Sequence, residues 1–368
     1  MKIAVFAVSS AQVHFYKNIV AALEADGNQV FVLTRDDSET VTLLNELEIP
    51  FFLFSRPDSK SSRNVTLPHE VVNAFQYLKG KHIDLTTGWG TYSTFTARLL
   101  NVPDVTFNDS ECTTDPVQYA LSKLSYQFTN VFVTPSSFKS EFGAKHLKLQ
   151  SYKELAYLHP NYFEPDPSVF DLLGISRSHD YSILWFEERA CSDDPAGSAL
   201  TDADKISLVK ELSGYGEVFI FSGAHVPPQI AENVLTVPSV RMHDVLYYAS
   251  LCVADGQTPA TEAALLGTPT IRSNAFVGRC DVGVSIELEH EFHLLFNLTN
   301  PNEVASTALQ LIKDPRVKQD WHKKRDRMLE RKLDMTALMV CLIEDYPDSV
   351  AQLSAAAGHH GIDLLNYR

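Results

Sequence analysis

The chain has 368 residues, 45% hydrophobic, 21% charged and 10% aromatic, with a formal net charge of -15. That length exceeds one ordinary core and suits two domains, and the composition is that of a globular protein rather than a disordered or fibrous one. The acidic balance excludes a nucleic acid as the main partner, because binding a polyanion needs a basic footprint.

The five cysteines, Cys112, Cys191, Cys252, Cys280 and Cys341, lie far apart without CxxC or Cys/His spacing. Neither a zinc site nor a disulfide framework follows, and the scatter suits a reducing compartment. The opening MKIAVFAVSS has an apolar run too short for a signal peptide, and no stretch of 18 apolar residues occurs. A soluble, cytoplasmic protein is expected.

In chain order, apolar runs at 2–8, 29–34, 50–54, 83–87, 104–107 and 130–135 alternate with helix-like segments. The clearest helix is VHFYKNIVAALEAD, 13–26, whose apolar positions recur at three and four and which ends before Gly27. Continuous apolar strands separated by helices predict a parallel sheet covered on both faces. Three prolines, Pro160, Pro165 and Pro167, then interrupt the rhythm and mark a linker. It resumes at 181–186, 217–222, 233–238, 251–255 and 268–272. Helices are expected at 303–312, 317–333 and 335–346, and residues 354–368, with the paired His359 and His360, read as a loosely held terminus. The basic stretch 322–332 alternates with acids at helical spacing, the pattern of a solvated helix face. The expected architecture is α/β, with two doubly wound Rossmann-like domains facing each other across a cleft and C-terminal helices packing across the junction. The boundaries are an N-terminal domain at 1–165, a C-terminal domain at 166–334, a crossover helix at 335–353 and a tail at 354–368.

The densest motif is LCVADGQTPATEAALLGTPTIR, 251–272: a strand, a glycine, a small-residue helix, a second glycine and another strand. A strand running through Gly256 into a helix places backbone N–H groups and a positive helix end at the carboxyl edge of the sheet, which suits a diphosphate. Glu262, about a turn and a half in, is placed to accept hydrogen bonds from vicinal ribose hydroxyls. An exposed helix acid near a positive dipole end gives the same pattern.

Gly256, Glu262-Ala263-Ala264, Gly267 and Pro269 resemble the nucleotide-sugar signature of GT-B enzymes, which include the UDP-N-acetylglucosamine 2-epimerases and nucleotide-sugar glycosyltransferases. Residues 242–278 resemble more closely an uncharacterised GT-B-like family known by a domain-of-unknown-function label. FNDSE at 107–111, VTPSSF at 133–138 and YKELAYLHPNYFEPD at 152–166 match its other landmarks.

The resemblance implies that Gly256, Gln257 and Thr258 hold the diphosphate, that Glu262 binds the ribose, and that Val240, Arg241 and Met242 lie beside the base. Arg189 falls where a basic residue meets phosphate, although pairing with Glu187 or Glu188 explains it equally. The epimerases carry Ser-Gly-Gly in place of Gly256-Gln257-Thr258, and a histidine-arginine pair near Glu188-Arg189.

In the N-terminal half, Ser9, Ser10 and His14 fall at the edge of the first strand. His14 is a candidate general base, and a structural histidine is the alternative. Asp109 and Glu111 match the neighbourhood of an epimerase catalytic acid, and capping of the following helix is the alternative. TGWGTYS, 87–93, is a candidate substrate loop.

Three functions follow. The first is glycosyl transfer from a nucleotide-sugar donor, UDP-linked by preference, needing no metal or other cofactor. The others are epimerisation or hydrolysis of that donor, and non-catalytic nucleotide-sugar binding. The missing epimerase histidine favours transfer. The acceptor stays open among a glycan, a lipid-linked sugar and a small molecule. Peripheral membrane contact through the helix at 335–346 and homo-oligomerisation stay open too.

Overall fold

A computed structural model describes residues 1–55, 63–109, 111, 116–186, 200–223, 226–274, 277–278 and 281–357, with the side chains of 63–65, 116–119 and 354–357 left aside. The chain divides into two compact units: Met1–Tyr162 together with Lys332–Arg368, and Phe163–Arg331.

The first unit runs β1 (Lys2–Phe6), α1 (Ser10–Ala25), β2 (Gln29–Thr34), α2 (Ser38–Glu46), β3 (Phe51–Leu53), α3 (Arg63–Leu78), β4 (Leu85–Gly88), α4 (Thr91–Leu100), β5 (Asp104–Phe107), α5 (Pro116–Phe128), β6 (Val131–Pro135), β7 (His146–Leu149) and α6 (Leu155–Leu158). Among the described residues its strands form one parallel sheet in the order β3-β2-β1-β4-β5-β6-β7. β4, β5 and β6 are buried along their whole length, as strands covered on both faces must be. All three nevertheless carry threonines, Thr86 and Thr87 in β4, Thr106 in β5 and Thr134 in β6, and a single acid pairs with two of them. Asp104, at the start of β5, accepts hydrogen bonds from the hydroxyls of Thr86, Thr94 and Thr106 at 2.6–2.8 Å. Thr87 Oγ1 lies 2.9 Å from Tyr16 Oη of α1. Buried polar groups are thereby paired within the sheet and its covering helices.

The second unit runs α7 (Val169–Leu173), β8 (Tyr181–Phe186), α8 (Asp202–Leu212), β9 (Glu217–Ser222), α9 (Met242–Tyr248), β10 (Leu251–Ala254), α10 (Gln257–Leu265), β11 (Thr270–Arg272), α11 (Gly283–His290), β12 (Leu295–Asn297), α12 (Pro301–Lys313) and α13 (Val317–Leu329). Its strands form a second parallel sheet, β12-β11-β10-β8-β9, among the described residues. The chain then returns to the first unit as α14 (Met335–Glu344) and α15 (Asp348–Ala357). α14 packs on α1 and α6, and α15 on β7. Thr336 of α14 donates to the Ala156 carbonyl at 2.8 Å, and Leu333 N–H donates to the Gln150 carbonyl.

Four elements differ from expectation. The stretch 233–238 is not a strand: Pro228–Asn233 forms a 3-10 helix, and Val234 makes one isolated bridge to Ile220. Pro227 and Pro228 open the 3-10 helix, and within the stretch Pro238 has no N–H to give a ladder. β7 and β12 add edge strands, and α15 carries helix into the expected tail, up to Ala357. The basic stretch 322–332 belongs to α13 and the turn after it, where Lys323 pairs with Asp320 and Arg331 with Glu291.

Candidate functional site

In the second unit, the residues singled out by the 251–272 motif lie at the carboxyl edge of the sheet. β10 is fully buried and ends at Ala254. Gly256 then caps α10 with an extended backbone, φ -81° and ψ 147°. Glycine has no side chain to cap the first turn, and that turn, Gln257-Thr258-Pro259, carries no acid. Its N–H groups and the helix dipole make this end attractive to anions. Alongside, Ser273 N–H donates to the Ala254 carbonyl, and Asn274 Nδ2 donates to the Asp255 carbonyl at 2.8 Å.

Glu262 is 6% exposed on a helix whose residues from Pro259 to Leu265 are all buried. It is therefore not a solvated helix acid. Its Oε1 lies 3.2 Å from Nε2 of His243, itself 4% exposed in the first turn of α9. The Phe163 and His243 rings stand nearly perpendicular, with centroids 6.3 Å apart at 83°. Burial, and after it the Glu262 charge, pushes the Cys252 thiol of β10 up to about 12, so this cysteine is an inert core residue. The far end of α10 is set by Gly267, at φ +79°, where the Gly267 and Thr268 N–H groups turn back onto the Ala264 and Ala263 carbonyls.

Arg241 precedes α9 and is engaged within its own unit. Its guanidinium lies 2.9 Å from Asp166 and 2.9 Å from Asp244, and 3.0 Å from the Ser168 hydroxyl. The Ser168 hydrogen bonds, and after them Arg241, hold the Asp166 carboxyl below its usual range. Val240 is exposed and Met242 opens the helix. Arg189 lies outside the described residues.

In the first unit the strand order places β1 beside β4, while the chain leaves them in opposite directions. The crevice outside their carboxyl ends is where such sheets bind ligands. Val8 N–H is tied to the Gln12 side chain at 2.8 Å, and Ser9 turns the backbone into α1, whose first residue is Ser10. On the other side stands the TGWGTYS loop. Gly90 has φ +108° and ψ -117°, a conformation open essentially to glycine alone, and a Cβ on Gly88 would stand 2.8 Å from Ser93. Both glycines are thus required to present Trp89, whose ring centroid lies 5.7 Å from Phe15 and 5.1 Å from Phe107.

His14 is 9% exposed, one turn into α1, with its ring 5.4 Å from that of Tyr157 in α6. Asp109, just after β5 and 7% exposed, lies 2.8 Å from Lys153 Nζ. Lys153, equally buried, also stands 3.5 Å from Glu154 and 5.6 Å above the Trp89 ring. Glu111 accepts a hydrogen bond from the Lys139 N–H in the loop after β6. The segment 152–158 therefore supplies partners to both His14 and Asp109. Among the described residues, no group of three or more His, Cys, Asp or Glu side chains could hold a metal ion.

The chain superposes on MnaA of S. aureus in complex with UDP with a TM-score of 0.67 at 13% identity, covering 95% of this chain and 98% of that one. It superposes on UDP-GlcNAc 2-epimerase from Neisseria meningitidis bound to UDP-GlcNAc at 0.63 and 11% identity, covering 91% and 96%. The third comparison is a Streptomyces glycosyltransferase complexed with thymidine diphosphate, at 0.59 and 17% identity, covering 94% and 99%. The chain has a GT-B fold. No protein-family model matches it, and no curated protein does.

Within this GT-B chain, sequence reasoning missed two ionisable residues. His243 follows Met242 directly, and Lys153 stands in the landmark YKELAYL. The available signal was a basic residue in an otherwise apolar, buried stretch, where a charge needs a partner. Periodicity names the face of a helix and not the partner across from it.

Proposed function

We propose that this protein is an enzyme acting on a nucleotide sugar, and that it transfers the sugar to a hydroxyl acceptor. The observation that carries the reading is the buried Glu262 carboxylate on α10, behind an acid-free first turn at the carboxyl edge of the sheet. A diphosphate at Gly256, Gln257 and Thr258 meets N–H groups and the positive helix end. Vicinal ribose hydroxyls meet Glu262, which only accepts hydrogen bonds when ionised. Arg241 and Met242 then border the base, and Arg189 supplies a further charge to the phosphates.

A base, for which His14 and Asp109 are the candidates, takes the acceptor hydroxyl proton. The acceptor oxygen bonds to the anomeric carbon as the bond to the diphosphate oxygen breaks. The charge that develops on the leaving diphosphate is stabilised by the start of α10 and Arg189. No metal is required for that balance.

Epimerisation of the same donor is the second reading. It is favoured by two acids, Asp109 and Glu111, standing two residues apart after β5, one of them paired with Lys153. Incubation with UDP-N-acetylglucosamine, followed by phosphorus and proton NMR, separates the readings. Release of UDP stimulated by a hydroxyl acceptor supports transfer. Appearance of a second sugar nucleotide without free UDP replaces transfer by epimerisation, and an unchanged spectrum from protein that binds the donor leaves only a binding role.

A further inference from the structure

A carboxylate that receives two neighbouring hydroxyls must hold one orientation, and a glutamate side chain has three rotatable bonds whose freedom opposes this. Glu262 has help from outside its own helix. His243 Nε2 stands 3.2 Å from Glu262 Oε1, within hydrogen-bond reach and with both side chains buried. The histidine is itself firmly placed. Asp244, the next residue along α9, accepts from the Asp166 N–H at 2.9 Å and pairs with Arg241 at 2.9 Å, which pins the first turn of α9 to the segment after Pro165. The Phe163 ring stands nearly perpendicular to the imidazole, 6.3 Å between centroids. A histidine so fixed fixes the acid it holds.

Resting on the donor reading above, we propose that His243 is a positioning residue: it holds the Glu262 carboxylate in the orientation that accepts the ribose hydroxyls, and so makes the site select ribonucleotides over 2′-deoxyribonucleotides. The imidazole reaches Glu262 Oε1 at 3.2 Å. Its effect passes through Glu262, and it therefore bears on whether the sugar of the nucleoside carries a 2′-hydroxyl, rather than on binding as a whole. A site built to hydrogen-bond a hydroxyl rejects the analogue lacking it because its buried acceptor is left unpaired.

The test is calorimetric titration of the full chain with UDP and with 2′-deoxy-UDP, for the wild type, His243→Ala, His243→Gln and Glu262→Gln, each checked for native circular dichroism. The wild type is expected to prefer UDP by about tenfold, the scale of one hydrogen bond to a charged group. His243→Ala should bring the two affinities to within about twofold by weakening UDP alone. His243→Gln, whose amide can still donate to Glu262, should retain most of the preference, and Glu262→Gln should lose most of it. Equal weakening of both nucleotides by His243→Ala, or an unchanged ratio, would overturn the assignment and leave His243 a packing residue. A wild type that binds both nucleotides equally would overturn it while leaving the donor site in place. A wild type that binds neither would remove the donor reading itself.

Discussion

Lys153 stands 2.8 Å from Asp109, 3.5 Å from Glu154 and 5.6 Å above the Trp89 ring. Removing one partner from a buried ion pair leaves the other charge without compensation. Lys153→Met should therefore lower unfolding stability by about 3 kcal/mol, and the double variant Asp109→Asn with Lys153→Met should recover much of that in urea denaturation. A single variant as stable as the wild type would show that the pair is not held in the folded protein. Asp104 gives the pH-dependent counterpart. Burial raises its carboxyl above the ordinary range, and outweighs the hydroxyls of Thr106, Thr86 and Thr94, which act the other way. The folded chain then keeps this proton to higher pH than the unfolded chain does, so ionisation of Asp104 works against folding as pH rises. Starting from about pH 4, the unfolded-state value, the wild type should lose stability relative to Asp104→Asn as pH increases. Parallel stability-against-pH curves for the two proteins would contradict this. Glu262 was legible because an acid in a run of Ala, Leu and Thr is conspicuous. Asp104, Lys153 and His243 were not, because what marks them is a partner distant in sequence: Thr86 and Thr94, Asp109, and Glu262.

At the scale of elements, the strand-glycine-helix-glycine-strand unit was legible in full. Each step has a local cause: β10 is continuously apolar, Gly256 leaves the first turn uncapped by a side chain, and Gly267 ends the helix with a left-handed backbone. A Cβ at Gly267 would also stand 3.2 Å from His322 Cδ2 and 3.3 Å from Arg325 Cδ, so those neighbours would have to shift by a few tenths of an ångström. The backbone strain dominates, and Gly267→Ala should cost about 1–2 kcal/mol, read from the shift in the denaturation midpoint at unchanged slope. No loss would mean that the turn after α10 relaxes freely. The strands that escaped notice are β7 and β12, both on sheet edges. β7 alternates between buried and half-buried positions, a weaker signal than a continuous apolar run. The stretch 233–238 misled for the converse reason, since its Val and Leu have strand propensity while Pro238 has no N–H to give a ladder.

At the scale of the whole molecule, the two rhythms of strands separated by a proline-rich stretch announced two doubly wound units, and the chain forms them, each around its own parallel sheet. The return of the chain after Arg331 was less legible. α14 is apolar around most of its circumference, which shows that it is covered but not by what. Its partners are α1 and α6 of the first unit. Among the described residues, no helix is long and apolar enough to cross a membrane. The acidic net charge of -15 adds a requirement for any anionic ligand, which needs local positive potential to be held against it. The start of α10 and Arg189 are the features proposed to supply that potential. The measurement that bears most directly on the account is calorimetric titration of the purified protein with UDP, UDP-N-acetylglucosamine and GDP-mannose, repeated with Glu262→Ala. Saturable binding of at least one of them is expected, weakened in the variant by about 1–3 kcal/mol, the range for a lost hydrogen bond to a charged group. A folded protein that binds none of the three, or one whose binding is indifferent to Glu262, would contradict the donor site at α10.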